Sequence, residues 1–441
     1  MTVNVTDTVG ANNTIVLDGN SKIPAIDGSQ VTALSATAFT TGSLATARID
    51  VGTTAGKVLQ LDGSARIPVL SGANLTNVPG PTSSTSDPAQ DSNLTLGAKW
   101  INKTSGEVYI CTDATTGENV WTNVGGGSGD VQPWTYQGSN YGYNAGGAQQ
   151  NPEHGNCLNT IDRFAFASTA NAVDVGDLTV AQFNTVGNSS ASYSFSSGGY
   201  STGGYNYQNK IEKYANASTA NATDIANLTE NKGDSTMGSS SPTHGFIAGV
   251  RLGNTAPYNP DVTIEKFSTV SDADAVDHGD LHTATWYGGG HSTVTHGFTS
   301  GHSNNASPYY INNIQRYAFA SNTTATDWAN TTIATNPYSG QGGSSSTTNG
   351  YAYFGGTGVS VIDKFPFASQ TNASDIGDLS VHRWYGTGGH SSTTYGYSSG
   401  GWTGNPNVQN VIDKVSFATD GNASDVGDLT VARKQQAGAN Y

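Results

Sequence analysis

The chain is poor in charge. Only 12% of its 441 residues are Asp, Glu, Lys or Arg, about half the usual ~25%. Basic side chains are scarcest, 18 against 33 acidic, for a formal net charge of −15. Nucleic-acid binding needs a basic face, and attraction to anionic lipid needs basic clusters, so neither partner is expected. Long apolar runs are missing too, and no stretch approaches the ~18 residues of a membrane helix. The start, Met1-Thr-Val-Asn-Val-Thr6, has no basic residue before Lys22, so no secretory signal is expected. Cysteine is limited to Cys111 and Cys157. That excludes a disulfide framework and predicts two free thiols made in a reducing compartment.

What replaces charge is Ser, Thr, Asn and 56 Gly, together with 7 Trp, 21 Tyr and 13 Phe. This aromatic content is too high for a disordered chain, and the mixture predicts many short strands joined by turns. A repeat organises the second two thirds of the sequence. It runs Ile161-Asp-Arg-Phe164, Ile211-Glu-Lys-Tyr214, Ile264-Glu-Lys-Phe267, Ile314-Gln-Arg-Tyr317, Ile362-Asp-Lys-Phe365 and Ile412-Asp-Lys-Val415, at intervals of 48 to 53 residues. Thirteen residues after each Ile stands an Asp: Asp174, Asp224, Asp277, Asp327, Asp375 and Asp425. A second element precedes each Ile, as in Tyr395-Gly-Tyr397-Ser-Ser-Gly400-Gly401. One copy, Tyr141-Gly-Tyr143-Asn-Ala-Gly146-Gly147, stands upstream of the first Ile, while the last unit stops at Tyr441 before reaching its own. The two elements balance only if the C-terminal end joins the start of the repeat region, which is how a closed ring of sheets is built.

Each unit reads as four antiparallel strands, a to d. Strand a is the Gly388-Gly-His390 stretch, strand b the aromatic stretch, strand c the Ile-Asp-Lys-Phe stretch, and strand d leads to the repeated Asp. Strand c puts Ile161 on one face and Phe164 and Phe166 on the other, as a sheet sandwiched between two others requires. The double Gly after strand b, the ~50-residue period and the acidic–basic–aromatic strand c resemble the kelch-type β-propeller. The resemblance implies an all-β fold with a six-bladed propeller over residues 131–441.

Residues 1–80 hold a cruder repeat, Leu17-Asp-Gly19 with Ile23-Pro-Ala-Ile26-Asp-Gly28, and Leu61-Asp-Gly63 with Ile67-Pro-Val-Leu70-Ser-Gly72. These strands carry too little apolar surface for a core of their own. The segment is similar to the shaft of a bacteriophage tail fibre, which implies a homotrimer. Residues 81–130 read as a linker, a small β module built on Trp100, Tyr109 and Trp121, and a Gly-rich hinge at Gly125–Gly129. The module is similar to one common in phage tail proteins.

The resemblance implies a virion fibre made in the host cytoplasm, contacting other tail proteins and binding a host-surface glycan or receptor, without catalysis, cofactor or metal. A propeller glycan hydrolase or lyase is the first alternative, and a structural adaptor that docks other virion proteins is the second. An Asp repeated six times suits a turn better than an active site. Nor do the His and Cys positions suit a galactose-oxidase-like copper centre. A sialidase would need three Arg, and outside strand c the propeller offers Arg251, Arg383 and Arg433. The adjacent acid and base of strand c are expected to pair between neighbouring blades. Binding is expected on the face carrying the variable b–c loops and d–a connections. The candidate ligand residues are Trp286, Trp384, Trp402, Tyr258 and Tyr309, since indoles and phenols stack on sugar C–H faces.

Overall fold

The computed structural model describes residues 80–124, 135–149, 156–202, 206–234, 237–249, 251–252, 259–303, 310–334, 342–356, 359–385, 388–404 and 407–440. The N-terminal repeat (1–79) and the Gly-rich hinge lie outside them. Two compact units divide at Ser83 and Ser84. The described protein is all-β, made of small antiparallel sheets, and its one helical element among the described residues is the turn Gln90–Ser92.

The small module pairs Lys99–Asn102 with Val108–Asp113, and Val108–Asp113 with Val120–Asn123. The Asn102 carboxamide ties the intervening turn, accepting the Thr104 N–H at 2.8 Å, and Gly106 supplies the left-handed residue at φ 78°. Its core is Tyr109, Cys111 and Trp121, with Trp100 edge-on to Trp121 at 5.9 Å. Cys111 and Cys157 are both free.

The repeat units form six sets of paired strands. The first sheet is Val173–Asp177, Thr160–Ala165, Tyr141–Ala145 and the C-terminal Ala437–Asn440, with Ala437 opposite Ala145 and Asn440 opposite Gly142. The expected closing strand is therefore present, though shorter than the 432–439 stretch anticipated. Three other sheets have four strands each: Gly289–Asn330, Gly343–Gly377 and Gly388–Asp428. The second and third units depart from the expectation of separate sheets. Their strands Asn206–Ala215 and Thr223–Gly233 run long, and Arg251–Leu252 pairs with both Lys232–Gly233 and Asn259–Pro260. This joins the two units into one eleven-stranded sheet.

Three rings of contacts link the units. The first is made of glycine. A Cβ on Gly238 would strike the Gly187 carbonyl, and the same relation runs from Gly290 to Gly238, Gly343 to Gly290, Gly389 to Gly343, Gly438 to Gly389 and Gly187 to Gly438. Strand a of each unit thus abuts the next with no room for a side chain, and the series returns to its start. The second is a backbone bond from the c–d turn of each unit to strand d of the one before. Ala172, Ala222, Ala275, Ala325, Ala373 and Ala423 donate N–H to the carbonyls of Asp428, Asp177, Asn227, Asp280, Asn330 and Asp378, all at 2.7–2.8 Å. The third uses the residue after the repeated Ile, an acid in five units and Gln315 in the fourth. Asp162, Glu212, Glu265, Gln315, Asp363 and Asp413 accept the N–H of Thr430, Thr179, Thr229, Thr283, Thr332 and Ser380 from the preceding unit.

Between units the packing is apolar on both faces, as the strand-c alternation requires. Ile161 is buried against Tyr214 and Ala222 of the second unit, and Phe164 against Tyr397, Ile412 and Leu429 of the sixth. Each such side chain contributes about 1.5–3 kcal/mol by leaving water. Strand b carries glycine opposite these rings, and a Cβ on Gly142, Gly245 or Gly350 would strike Phe164, Phe267 or Phe365. A further aromatic follows strand c in four units. Phe166, Phe319, Phe367 and Phe417 lie against Tyr397, Phe246, Phe298 and Tyr351 of the preceding unit, with centroids 4.4–4.9 Å apart.

The expected strand-c ion pairs are corrected by this geometry. The acids face the preceding d–a connection, where Arg433 meets Asp162 at 3.0 Å, Arg383 meets Asp413 at 3.0 Å and Lys232 meets Glu265 at 2.8 Å. The strand-c bases lie on the other face of the strand, near the surface. Lys213 and Lys364 reach Asp272 and Asp420 in the next c–d turn, and Arg316 lies over the Trp328 ring.

Candidate functional site

The repeated Asp is a structural residue, though it lies within strand d and not in a turn. Asp174, Asp375 and Asp425 stand opposite Asp162, Asp363 and Asp413 of strand c, where the register shifts at a bulge. Asp174, Asp277, Asp375 and Asp425 each accept the N–H two residues on, at 2.7–3.1 Å. Asp224 instead pairs with Lys210. Among the described residues no group of three His, Cys, Asp or Glu could hold a metal ion. His291 and His390 are buried staples. Their Nδ1 atoms lie 3.0 and 3.1 Å from the Ser344 and Ala439 carbonyls, and their Nε2 atoms 2.7 and 2.9 Å from the Ser300 and Ser399 hydroxyls. Burial holds both imidazoles down at about 4. Arg383 and Arg433, two of the three arginines a sialidase would require, are 1% and 0% exposed. Burial lowers both, and their aspartates oppose the shift.

The d–a connections and b–c segments meet in a recurring backbone bridge. The residue after the double Gly, or after Gly249-Val250 in the third unit, pairs with the residue nine beyond the repeated Asp of the preceding unit: Tyr200 with Phe183, Arg251 with Gly233, Trp402 with Trp384, and Ala148 with Lys434. In the Trp bridge each backbone donates to the other, at 2.9 and 2.8 Å. Glycine makes the approach possible. Gly400 and Gly401 sit at φ 65° and 107°, and Gly146 and Gly147 at 68° and 106°, a region that other residues enter only at a cost.

The next residue along is left-handed as well, although it is not glycine: Asn184 at φ 56°, Asp234 at 51°, Tyr287 at 49°, Tyr385 at 59° and Gln435 at 61°. Non-glycine residues seldom adopt this conformation, and its recurrence points to a constrained site. Two clusters result. In one, the Trp402 ring is edge-on to Trp384 at 5.4 Å and to Tyr385 at 5.0 Å. The Lys434 ammonium lies 4.7 Å over both Trp402 and Tyr385. Trp384 and Trp402 are half-buried, and the Trp384 Nε1 has no acceptor. In the other, the buried Asp234 carboxylate accepts from Tyr287 Oη at 2.6 Å and Asn184 Nδ2 at 2.5 Å. Burial, then Asp234 and Tyr287, hold the nearby Tyr200 phenol far above its ordinary value.

The structure therefore brings Trp384 and Trp402 together, whereas the sequence placed them only on a common face. Trp286 is 7% exposed. Tyr258 and Tyr309 lie outside the described residues. Sequence reasoning missed Tyr385, Asp234 and Tyr287, and it set Lys434 on the d–a connections of the expected binding face without making it a ligand candidate. The signal was available, since each stands nine or ten residues after the repeated Asp. No protein-family model matches this chain, and no curated protein matches it in sequence.

Proposed function

We propose that residues 131–441 form a six-bladed, kelch-like β-propeller that serves as the non-catalytic recognition head of a homotrimeric phage tail fibre. Its ligand is a host-surface glycan, bound on the face of the b–c segments and d–a connections. The observation that carries this reading is the backbone bridge. Its hydrogen bonding repeats while its side chains change from Phe183/Tyr200 to Trp384/Trp402 to Lys434/Ala148. A rigid scaffold presenting varied side chains is how recognition surfaces are made. The closed series of glycine contacts supports the propeller, and the Leu-Asp-Gly and Ile-Pro repeats of residues 1–80 support the shaft.

The incoming chain favours the same face. Asn440 donates to the Tyr136 carbonyl at 3.3 Å, Gln137 to Ser345 and Gly138 to Ser391. These partners lie at the a–b ends of the strands, so residues 136–138 occupy the side opposite the b–c segments. The test is adsorption. The purified full chain should bind the bacterial host and compete with the particle, and its mass in solution should be that of a trimer. A monomer that neither binds nor competes overturns the reading.

A further inference from the structure

We infer a second saccharide site, a groove between the second and third units on the a–b and c–d side, away from the Trp bridge. It arises from one absent ring. In four units the residue five beyond the repeated Ile is Phe, and its ring covers the strand-b aromatic of the unit before: Phe166 on Tyr397, Phe319 on Phe246, Phe367 on Phe298 and Phe417 on Tyr351. The second unit has Asn216 there, and the place is filled by hydrogen bonds. Asn216 is bonded to Ser194 and Ser190, and its carbonyl accepts from Tyr143 Oη at 2.5 Å. The third unit has Thr269. Its hydroxyl has no hydrogen-bond partner, and beside it opens a groove of about 420 Å³. That volume is in the range of small-molecule sites.

The lining gives the class of ligand. One wall is Tyr193, 38% exposed, with the Lys213 ammonium 5.0 Å over its ring and held there by Asp272 at 2.5 Å. The ion pair fixes the ring and supplies a donor and an acceptor at one end. Ser192 and Ser271 add exposed hydroxyls, and Val270, 74% exposed, adds an apolar edge. An aromatic face bordered by hydroxyls and a paired charge suits a pyranose, whose C–H face stacks and whose hydroxyls both donate and accept. The groove carries no net charge beyond the ion pair, so an anionic ligand has no preference for it.

Substitution at Thr269 tests this directly, because Thr269→Phe restores the ring the other units possess. The probes are methyl glycosides of glucose, galactose, N-acetylglucosamine and rhamnose, each at 50 mM, read by saturation-transfer NMR on the full chain. Wild type should give signal with at least one of them. Thr269→Phe should lose it at least tenfold while melting no lower than wild type, and Tyr193→Ala should lose it too. Absence of signal from wild type overturns the proposal. So does full signal from either variant, and Tyr193→Ala decides alone if Thr269→Phe does not fold. Signal that survives both but disappears in the double variant Trp384→Ala, Trp402→Ala places the sugar on the opposite face and also overturns it.

Discussion

The two faces of the repeat region obey different rules. On the c–d side, an Ala N–H bonds to the preceding unit in all six units, at nearly one distance. On the b–c side the backbone bridge also recurs, but its side chains are Phe, Tyr, Gly, Arg, Trp, Lys and Ala. The turn needs a small residue because Ala172, Ala222, Ala275 and Ala325 are 4–6% exposed and pack against the neighbouring unit. The bridge needs only backbone, so its side chains are released from the scaffold. Conformity marks what holds the ring together, and variation marks what the ring presents.

The comparison is broken most severely by opening the ring. Deleting residues 432–441 removes the strand paired with Tyr141–Ala145 and the Arg433 partner of Asp162. It exposes a strand edge and an apolar face of the first sheet. The expected outcome is a chain that does not fold, seen as loss of the cooperative thermal transition.

Next in size is a single buried ion. Arg433→Ala leaves Asp162, 0% exposed, without its cation. Such a loss typically costs about 3–5 kcal/mol, and urea denaturation should show it. Arg433→Met with Asp162→Asn removes both charges and should recover at least half of that cost. No recovery would mean that the guanidinium acts through its bonds to the Gly146 and Thr160 carbonyls instead.

Acid gives a third test. His291 and His390 titrate near 4 in the folded state against about 6.5 unfolded. The unfolded chain therefore binds more protons between these values, and stability falls as pH drops from about 6.5 to 4. The loss is on the order of 3 kcal/mol for each His. Glu212 and Asp363 work the other way, because burial raises both, and their contribution is lost as pH rises. Replacing both His with Gln should shrink the fall in melting temperature over pH 4–6.5, leaving the part that belongs to His244, His278 and His296, whose imidazoles burial also lowers. A fall that does not shrink assigns the acid response elsewhere.

These staples also show what the sequence could and could not reveal. The strand order follows from a fixed offset of 13 residues, because the c–d turn tolerates no insertion, and the closure follows from the balance of the two repeated elements. The place of the repeated Asp, in strand d beside a bulge and not in a turn, did not follow from either. The glycine ring has no such offset. From the repeated Asp to Gly187, Gly238, Gly290, Gly343, Gly389 and Gly438 the distance ranges from 13 to 16 residues, since the d–a connection varies, and 56 glycines hide six. The partner of the strand-c acid was misassigned for a related reason. Adjacent residues of a strand face opposite ways, so the neighbouring base is ruled out within the unit, but nothing local says that the true partner is eight residues beyond another unit's Asp. Trp384 and Trp402 shared a predicted face, and only the bridge made them neighbours.

The smallest expected effect on stability, and the sharpest on function, belongs to that pair. Trp384 and Trp402 are half-buried and pack on each other, Tyr385 and Lys434. Their backbone bonds to one another survive truncation, because Ala keeps the N–H and carbonyl that form the bridge. An aromatic pair is worth about 0.5–1.5 kcal/mol beyond its burial, so the double variant Trp384→Ala, Trp402→Ala should melt only a few degrees lower. Losing a ring from a stacked ligand costs about 1–3 kcal/mol, which for two rings, amplified by the three copies of the proposed fibre, should abolish the proposed adsorption to the host. Lys434→Met separates packing from recognition, since it keeps the apolar stem and removes the charge above both rings. If the double variant unfolds, the rings belong to the scaffold. If it folds and adsorbs at full strength, the varied face is not where the host is recognised, and the contrast between the two faces reflects drift instead of function.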